Sequence, residues 1–202
     1  MGIGSLIIFI AMILAAGIAA SVLMQTMTNL QQQALKTGQE TLREVSSGLR
    51  VTHISGYSDG TQITQLGIFL QPNAASEPID LNTTVISLSD TSLKFLLSYN
   101  SSCYSGSPSG GLFGTLNAST LDATSYGLIV IRDIDGSITQ QNPILNDEDL
   151  AVLIVNTAEC FSGGIGSRIE VSGSIYTEYG FPGLIGFVTP SSLSSTVLDL
   201  QP

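Results

Sequence analysis

The first 35 residues contain no Lys, Arg, Asp or Glu, and from Ile3 to Met24 the chain is apolar apart from the small residues Gly4, Ser5, Gly17 and Ser21. No other feature constrains the fold so tightly. The run exceeds the 7–15 residues of a secretory h-region and lacks its basic flank. It matches the roughly 20 residues that cross a bilayer core as a helix. A helix apolar on every side must be surrounded by something apolar, either lipid or other protein.

Residues 25–33 (QTMTNLQQQ) are polar, uncharged and free of proline. Apolar positions then recur at Leu30, Ala34, Leu42, Val45 and Leu49, mostly three or four apart, with Lys36, Gln39, Glu40, Arg43 and Glu44 on the other face. This is the stripe of an amphipathic helix. The pattern predicts one continuous helix from about Ile3 to about Arg50, roughly 70 Å long at 1.5 Å per residue. Ala11, Ala15 and Ala19 lie four apart on one face. Small residues at that spacing let helix backbones approach closely and pack by dispersion, which a lone anchor does not need.

Charge divides the chain near Arg50. Residues 1–50 are net +1, whereas residues 51–202 hold 14 acids against Lys94, Arg132 and Arg168, a net of −11. The balance argues against nucleic acid, because phosphate binding needs clusters of Lys and Arg. Beyond the boundary, β-branched and aromatic runs over 61–70, 83–89, 92–99, 125–133, 149–156, 168–178, 184–189 and 196–200 alternate with Gly, Pro, Asn, Asp and Ser clusters. Such alternation predicts strands joined by turns. The expected fold class is α+β, one long N-terminal α-helix followed by an immunoglobulin-like antiparallel β-sandwich. The helix is assigned to 1–51 and the head to 52–202.

Two stretches resemble a known family. GIGSLIIFIAMILAAGIAASVL is similar to the N-terminal segment of archaeal flagellins (archaellins), with Ser5 for the usual Thr. SRIEVSGSIYTEYGFPGLIGFVTPSSLSSTVLDLQP resembles their C-terminal segment through Glu178 and Gly180, Thr189–Pro190 and Leu200–Gln201. Thr177 departs from the pattern, many members having Pro there. The resemblance is strong over 2–56 and 167–202, looser over RDIDGSITQQNPILNDEDLAVL, and 71–120 is not diagnostic.

The resemblance implies a structural subunit of a motility filament that polymerises with identical or paralogous copies. Members are made with a short basic leader that a membrane peptidase removes. The lack of a basic residue ahead of Ile3 is consistent with a mature chain. The apolar helix would first sit in the membrane, satisfying its backbone internally. A surface motor and assembly platform would then draw it into an extracellular surface filament. Residues expected to bury in the filament core are Ile7, Ile8, Phe9, Ile13, Leu14, Ile18, Val22 and Leu23, with Ala11, Ala15 and Ala19 setting close approach. Two alternatives are a type IV pilus-like adhesion subunit and a singly membrane-anchored β-sandwich binding protein. Typical pilins carry Glu at the fifth position, where this chain has Ser5.

Enzymatic chemistry finds little support. His53 is the only histidine, and no nucleophile or second titratable group is marked as its partner. SGSPSGGLFG and SGGIGS lack the Lys of a phosphate-binding loop and read as connections. The acids Asp133, Asp135, Asp147 and Asp149 fail the EF-hand pattern, because Ile131 and Asn142 stand where carboxylates are required. They form two clusters of oxygen donors, either solvated turns or a site for a structural divalent cation; no other cofactor is expected. In an extracellular domain the pair Cys103 and Cys160 invites a disulfide, worth about 4 kcal/mol in the chain-entropy model. Asn82, Asn100 and Asn117 begin N-glycosylation triplets. A head this rich in Ser and Thr produces such triplets by chance, so the expectation of glycan rests on the resemblance.

Overall fold

The computed structural model describes residues 2–74 and 76–201, and they form two units that divide between Leu42 and Arg43. The first lies within helix α1 (Gly2–Ser46). Its Ala, Leu, Ile, Met and Gln content favours helix, and no proline interrupts it. The hydroxyls of its polar middle donate to the helix's own carbonyls, Thr26 to Val22 at 2.8 Å and Thr28 to Met24 at 2.9 Å. A hydroxyl satisfied this way presents little unmet polarity to an apolar neighbour. The helix stops at Ser46, four residues before the expected end.

The second unit begins with the last turn of α1, held by a hydrogen bond from Ser47 N to Arg43 O at 3.0 Å. Eleven strands follow among the described residues: β1 (Leu49–Ser58), β2 (Ile63–Pro72), β3 (Ile79–Asp80), β4 (Val85–Ser89), β5 (Lys94–Ser105), β6 (Ser125–Arg132), β7 (Ile144–Leu145), β8 (Leu150–Asn156), β9 (Glu170–Tyr176), β10 (Gly183–Val188) and β11 (Val197–Gln201). A short helix α2 (Thr157–Cys160) follows β8. Nine strands make one sheet in the order β10-β9-β4-β5-β6-β8-β2-β1-β11, while β3 and β7 pair separately.

The α+β class therefore holds, and the head differs in detail from a two-sheet sandwich. One sheet curls until its first strand nears its last. A Cβ on Gly183 of β10 would stand 3.3 Å from Leu49 O of β1, and Gly186 N donates to Gln201 Oε1 of β11 at 3.2 Å. The pairing β5–β6 is parallel, because residues 106–124 carry the chain back across the sheet instead of reversing in a tight turn. All eight expected strands are present. The one missed long strand, β1, contains Leu49–Val51, which were assigned to the helix. Leu49 fits both periods, but Ser47–Gly48 breaks the helix and the β-branched Val51, Thr52 and Ile54 extend the chain. The head thus takes in residues 47–51.

The curled sheet encloses Leu66, Ile68, Leu70, Ile86, Leu88, Leu128, Leu153 and Val155, all fully buried. Each such side chain contributes about 1.5–3 kcal/mol relative to exposure. Tyr126 lies among them with its hydroxyl 2.8 Å from Leu81 O and 3.1 Å from Thr84 O. That satisfies its polar end, and burial raises its pKa. On the sheet's outer side, Leu112, Phe113 and Leu116 of the 106–124 crossing cover Cys103, Ile129, Val152 and Ile154.

Candidate assembly interface and head sites

Every described residue of α1 from Gly2 to Leu42 is exposed. Ile7, Ile8, Phe9, Ile13, Leu14, Ile18, Val22 and Leu23 are each 55–70% exposed. At about 1.5–3 kcal/mol per large apolar side chain, covering these eight would yield on the order of 10–20 kcal/mol before entropic costs. Ala11, Ala15 and Ala19 form a low strip between them. Helix residues four apart stack along one face, so a neighbouring backbone approaches most closely there. The helix is thus a surface that water cannot satisfy and the chain's own residues do not cover.

The stem of the head is tied down by its own loops. The Arg43 guanidinium carbon lies 3.9 Å from the centre of the Tyr179 ring, and its Nε pairs with the Glu77 carboxylate. Asn73 N donates to Gly48 O at 3.0 Å, and Phe181 N donates to Ser47 O at 3.1 Å. Gly180 has φ +87°, and a Cβ there would fall 2.0 Å from Ser47 O. That explains one glycine of the C-terminal segment physically: the turn must pass against the stem's backbone. Thr189 is similarly fixed, its buried hydroxyl donating to Gly166 O at 2.7 Å while accepting from Ile169 N at 2.7 Å. At Thr177, the side chain donates to Tyr179 O at 2.7 Å and so braces the same turn. Arg43 and its partners were invisible in the sequence, where Arg43 read as one more charge on a solvated helix face.

Three of the four singled-out aspartates meet. Carboxylate oxygens of Asp133, Asp135 and Asp149 all lie within 4.8 Å of one another, without Asp147. Asp133 accepts from the backbone of Gly136, Ser137 and Ile138. Asp135 accepts from Ser137 N at 3.0 Å and Asn146 Nδ2 at 2.6 Å, and the Ser137 and Asn146 hydrogen bonds hold its pKa below the ordinary value. Asp149 is buried, which pushes its pKa up, while Asn146 N and Ile134 N donate to it. Such oxygens suit a hard cation.

The cysteines are not joined. Both are free and buried, and they serve different sides of the sheet. Cys103 packs under the outer crossing, with Sγ 2.9 Å from Thr120 Oγ1. Cys160 belongs to the inner core, its thiol directed at Ala123 O at 3.6 Å and its pKa pushed up to about 11 by burial. Both do lie near strands, but sequence alone could not show that the sheet passes between them. Among the sequon asparagines, Asn82 and Asn117 are exposed and Asn100 is half-buried in β5.

His53 lies 3.1 Å from Asp199 Oδ1 and 2.9 Å from Ser55 Oγ. Both contacts involve the same nitrogen, Nε2, whereas a proton relay uses opposite ring nitrogens for nucleophile and carboxylate. The trio is a clasp between β1 and β11.

Comparison with known proteins agrees with this geometry. The archaeal-type flagellin family matches residues 1–187. Flagellin B2 of Methanocaldococcus jannaschii is 42% identical over 205 residues, covering 100% of this chain and 94% of its own, and Flagellin B1 of Methanococcus voltae is 38% identical over 99% and 94%. The crystal structure of archaeal flagellin FlaB1 from M. jannaschii superposes with TM-score 0.70 at 34% identity, over 77% of this chain and 97% of that one. A structure of the archaeal flagellum of Methanospirillum hungatei shares the fold over 98% and 99% of the two chains, with TM-score 0.67 at 14% identity. On the family match and these identities, the chain belongs to the archaeal-type flagellins.

Proposed function

We propose that this flagellin polymerises through α1, the helices forming the shaft of the motility filament and the acidic heads its outer layer. One observation carries the reading: a helix without a charged side chain before Lys36, whose large apolar side chains are all exposed, on a chain whose head closes its own core. The chain is a structural filament subunit, and we assign it no catalytic role. Before assembly the Ile3–Met24 part of α1 resides in the membrane, which its length and composition permit. A leader peptidase, a surface motor and an assembly platform are its partners at that stage. The Asn82, Asn100 and Asn117 triplets are the proposed glycan sites. A divalent cation shared by Asp133, Asp135 and Asp149 is proposed as a stabiliser of the two acidic loops. It predicts a lower melting temperature in chelator, restored by calcium; indifference to both would remove the cation.

Electron cryomicroscopy of filaments sheared from the source cells, with the chain identified by mass spectrometry, tests the assembly. Long helices of this chain packed along the filament axis are expected. Recovery of the chain only from detergent-extracted membrane, with no filament containing it, would leave the singly anchored binder standing instead.

A further inference from the structure

Among the described residues, nothing packs against one further surface of the head. The middle of the sheet's outer side, over β6, β8 and β2, is covered by the 106–124 crossing. Another part, over β10, β9, β4 and the start of β5, has no described residue packed across it. Two rungs of aligned residues cross it: Leu184–Ser174–Ser87–Leu96 and Gly186–Ser172–Ser89–Lys94. The floor is made of serines, with Gly186 beside them, and a Cβ on Gly186 would meet no atom within 4 Å. Aliphatic rims stand at either side, Leu184 being 68% and Leu96 59% exposed.

Exposed apolar residues concentrate here. Among the described residues of the head, ten large apolar side chains are exposed, and Leu93, Leu96, Tyr176, Phe181, Leu184 and Val188 are six of them. By the alternation along each strand, Leu96, Tyr176, Leu184 and Val188 share the bare face, while Leu93 and Phe181 lie in the turns before β5 and β10. Clustering of this kind marks an interaction site, whereas scattered apolar residues do not.

Charge says what fits. Each head, from residue 47 on, carries 14 acids and a net of −10, so neighbouring copies repel wherever acids face acids. Within the two rungs there is no acid and one of the head's four cations, Lys94, is present; the adjoining pair Val188–Glu170 brings one acid, so the face is close to neutral on a strongly acidic head. Identical heads crowded around a shaft can approach at such a face with least repulsion, and serines permit close backbone approach.

We infer that the bare face over β10, β9, β4 and β5 is a contact between heads in the filament, its occupant a second copy of this chain. The inference rests on the polymer reading given above. An open helical polymer joins unlike surfaces, so this face meets a different patch of the neighbouring head.

The test uses the full chain as the sole filament subunit, with a photo-crosslinking amino acid placed at Leu184 or, separately, at Ile18 in α1. Irradiated filaments should give copy-to-copy products from both positions, with Leu184 mapped by mass spectrometry to a neighbouring head. The paired variant Leu96→Asp, Leu184→Asp should lower filament yield at least tenfold and leave the melting temperature of the head unchanged. Products from Ile18 alone, or normal yield and heat resistance in the paired variant, would overturn the contact while leaving the polymer intact. Absence of products from both positions would remove the polymer reading and this face with it.

Discussion

Gly2–Met24 and the strands of the head draw on much the same apolar residues, yet they end in opposite conditions. In the helix, Ile7, Ile13 and Leu23 are at least 55% exposed; in the sheet, Ile68, Ile86 and Leu153 are fully buried. The cause is geometric. An isolated helix points its side chains outward all round and cannot fold onto itself, whereas a sheet twists, curls and encloses one face. The helix is therefore half of an interaction completed by other molecules. The head encloses a core of its own.

The sharpest way to break that comparison is to disturb the helix alone. Ala15→Leu should wedge neighbouring backbones apart and abolish or grossly distort filaments, seen by electron microscopy, with the head's unfolding curve unchanged. Normal filaments from this variant would refute the role of the Ala11–Ala15–Ala19 strip. Disturbing the head core should do the reverse to stability: Leu66→Ala is expected to cost about 2–5 kcal/mol in denaturant unfolding. A loss under 1 kcal/mol would mean that the enclosed sheet is far looser than its burial implies.

A smaller effect should follow at the stem. Gly180→Ala places a side chain at a positive φ and against Ser47 O, at a cost of about 1–3 kcal/mol from backbone strain. Calorimetry giving an unchanged melting temperature would show that the turn relaxes freely. The smallest effect concerns the β1–β2 turn. Asp59 accepts from Gln62 N at 2.9 Å and from the Thr61 backbone and hydroxyl, both at 2.8 Å. The Gln62 bond is the largest of the influences that lower its pKa from 3.8. A carboxylate lowered on folding adds stability that is present above its unfolded pKa and is lost as pH falls through the folded value. Wild type should therefore melt slightly above Asp59→Asn at pH 7, with the gap closing on acidification. A gap that widened towards acid would reverse the assignment.

Much of this architecture was legible because it is written locally. The uncharged run, the helical stripe and the alternation of β-branched runs with turn clusters each depend on residues a few positions apart. β1 escaped because Leu49 satisfies a helical period and a strand period alike, and only the Ser47–Gly48 break distinguishes them. The parallel β5–β6 pair escaped because nothing in the 106–124 segment states which way it returns. Asp133, Asp135 and Asp149 were found as oxygen donors, while the exclusion of Asp147 required knowing how the two loops face each other. Arg43 on Tyr179 joins residues more than 130 positions apart, and no local pattern announces such a contact.

Sequence by itself determined that this chain has an apolar helix requiring company and a β-rich acidic head, because hydropathy and periodicity are properties of neighbouring residues. Tertiary structure decided that the head is built on one curled sheet, that Cys103 and Cys160 lie on its opposite sides, and that part of its outer side is left uncovered. Those outcomes depend on which distant strands pair and how far the sheet bends, and burial, separation and exposure exist only once that has happened.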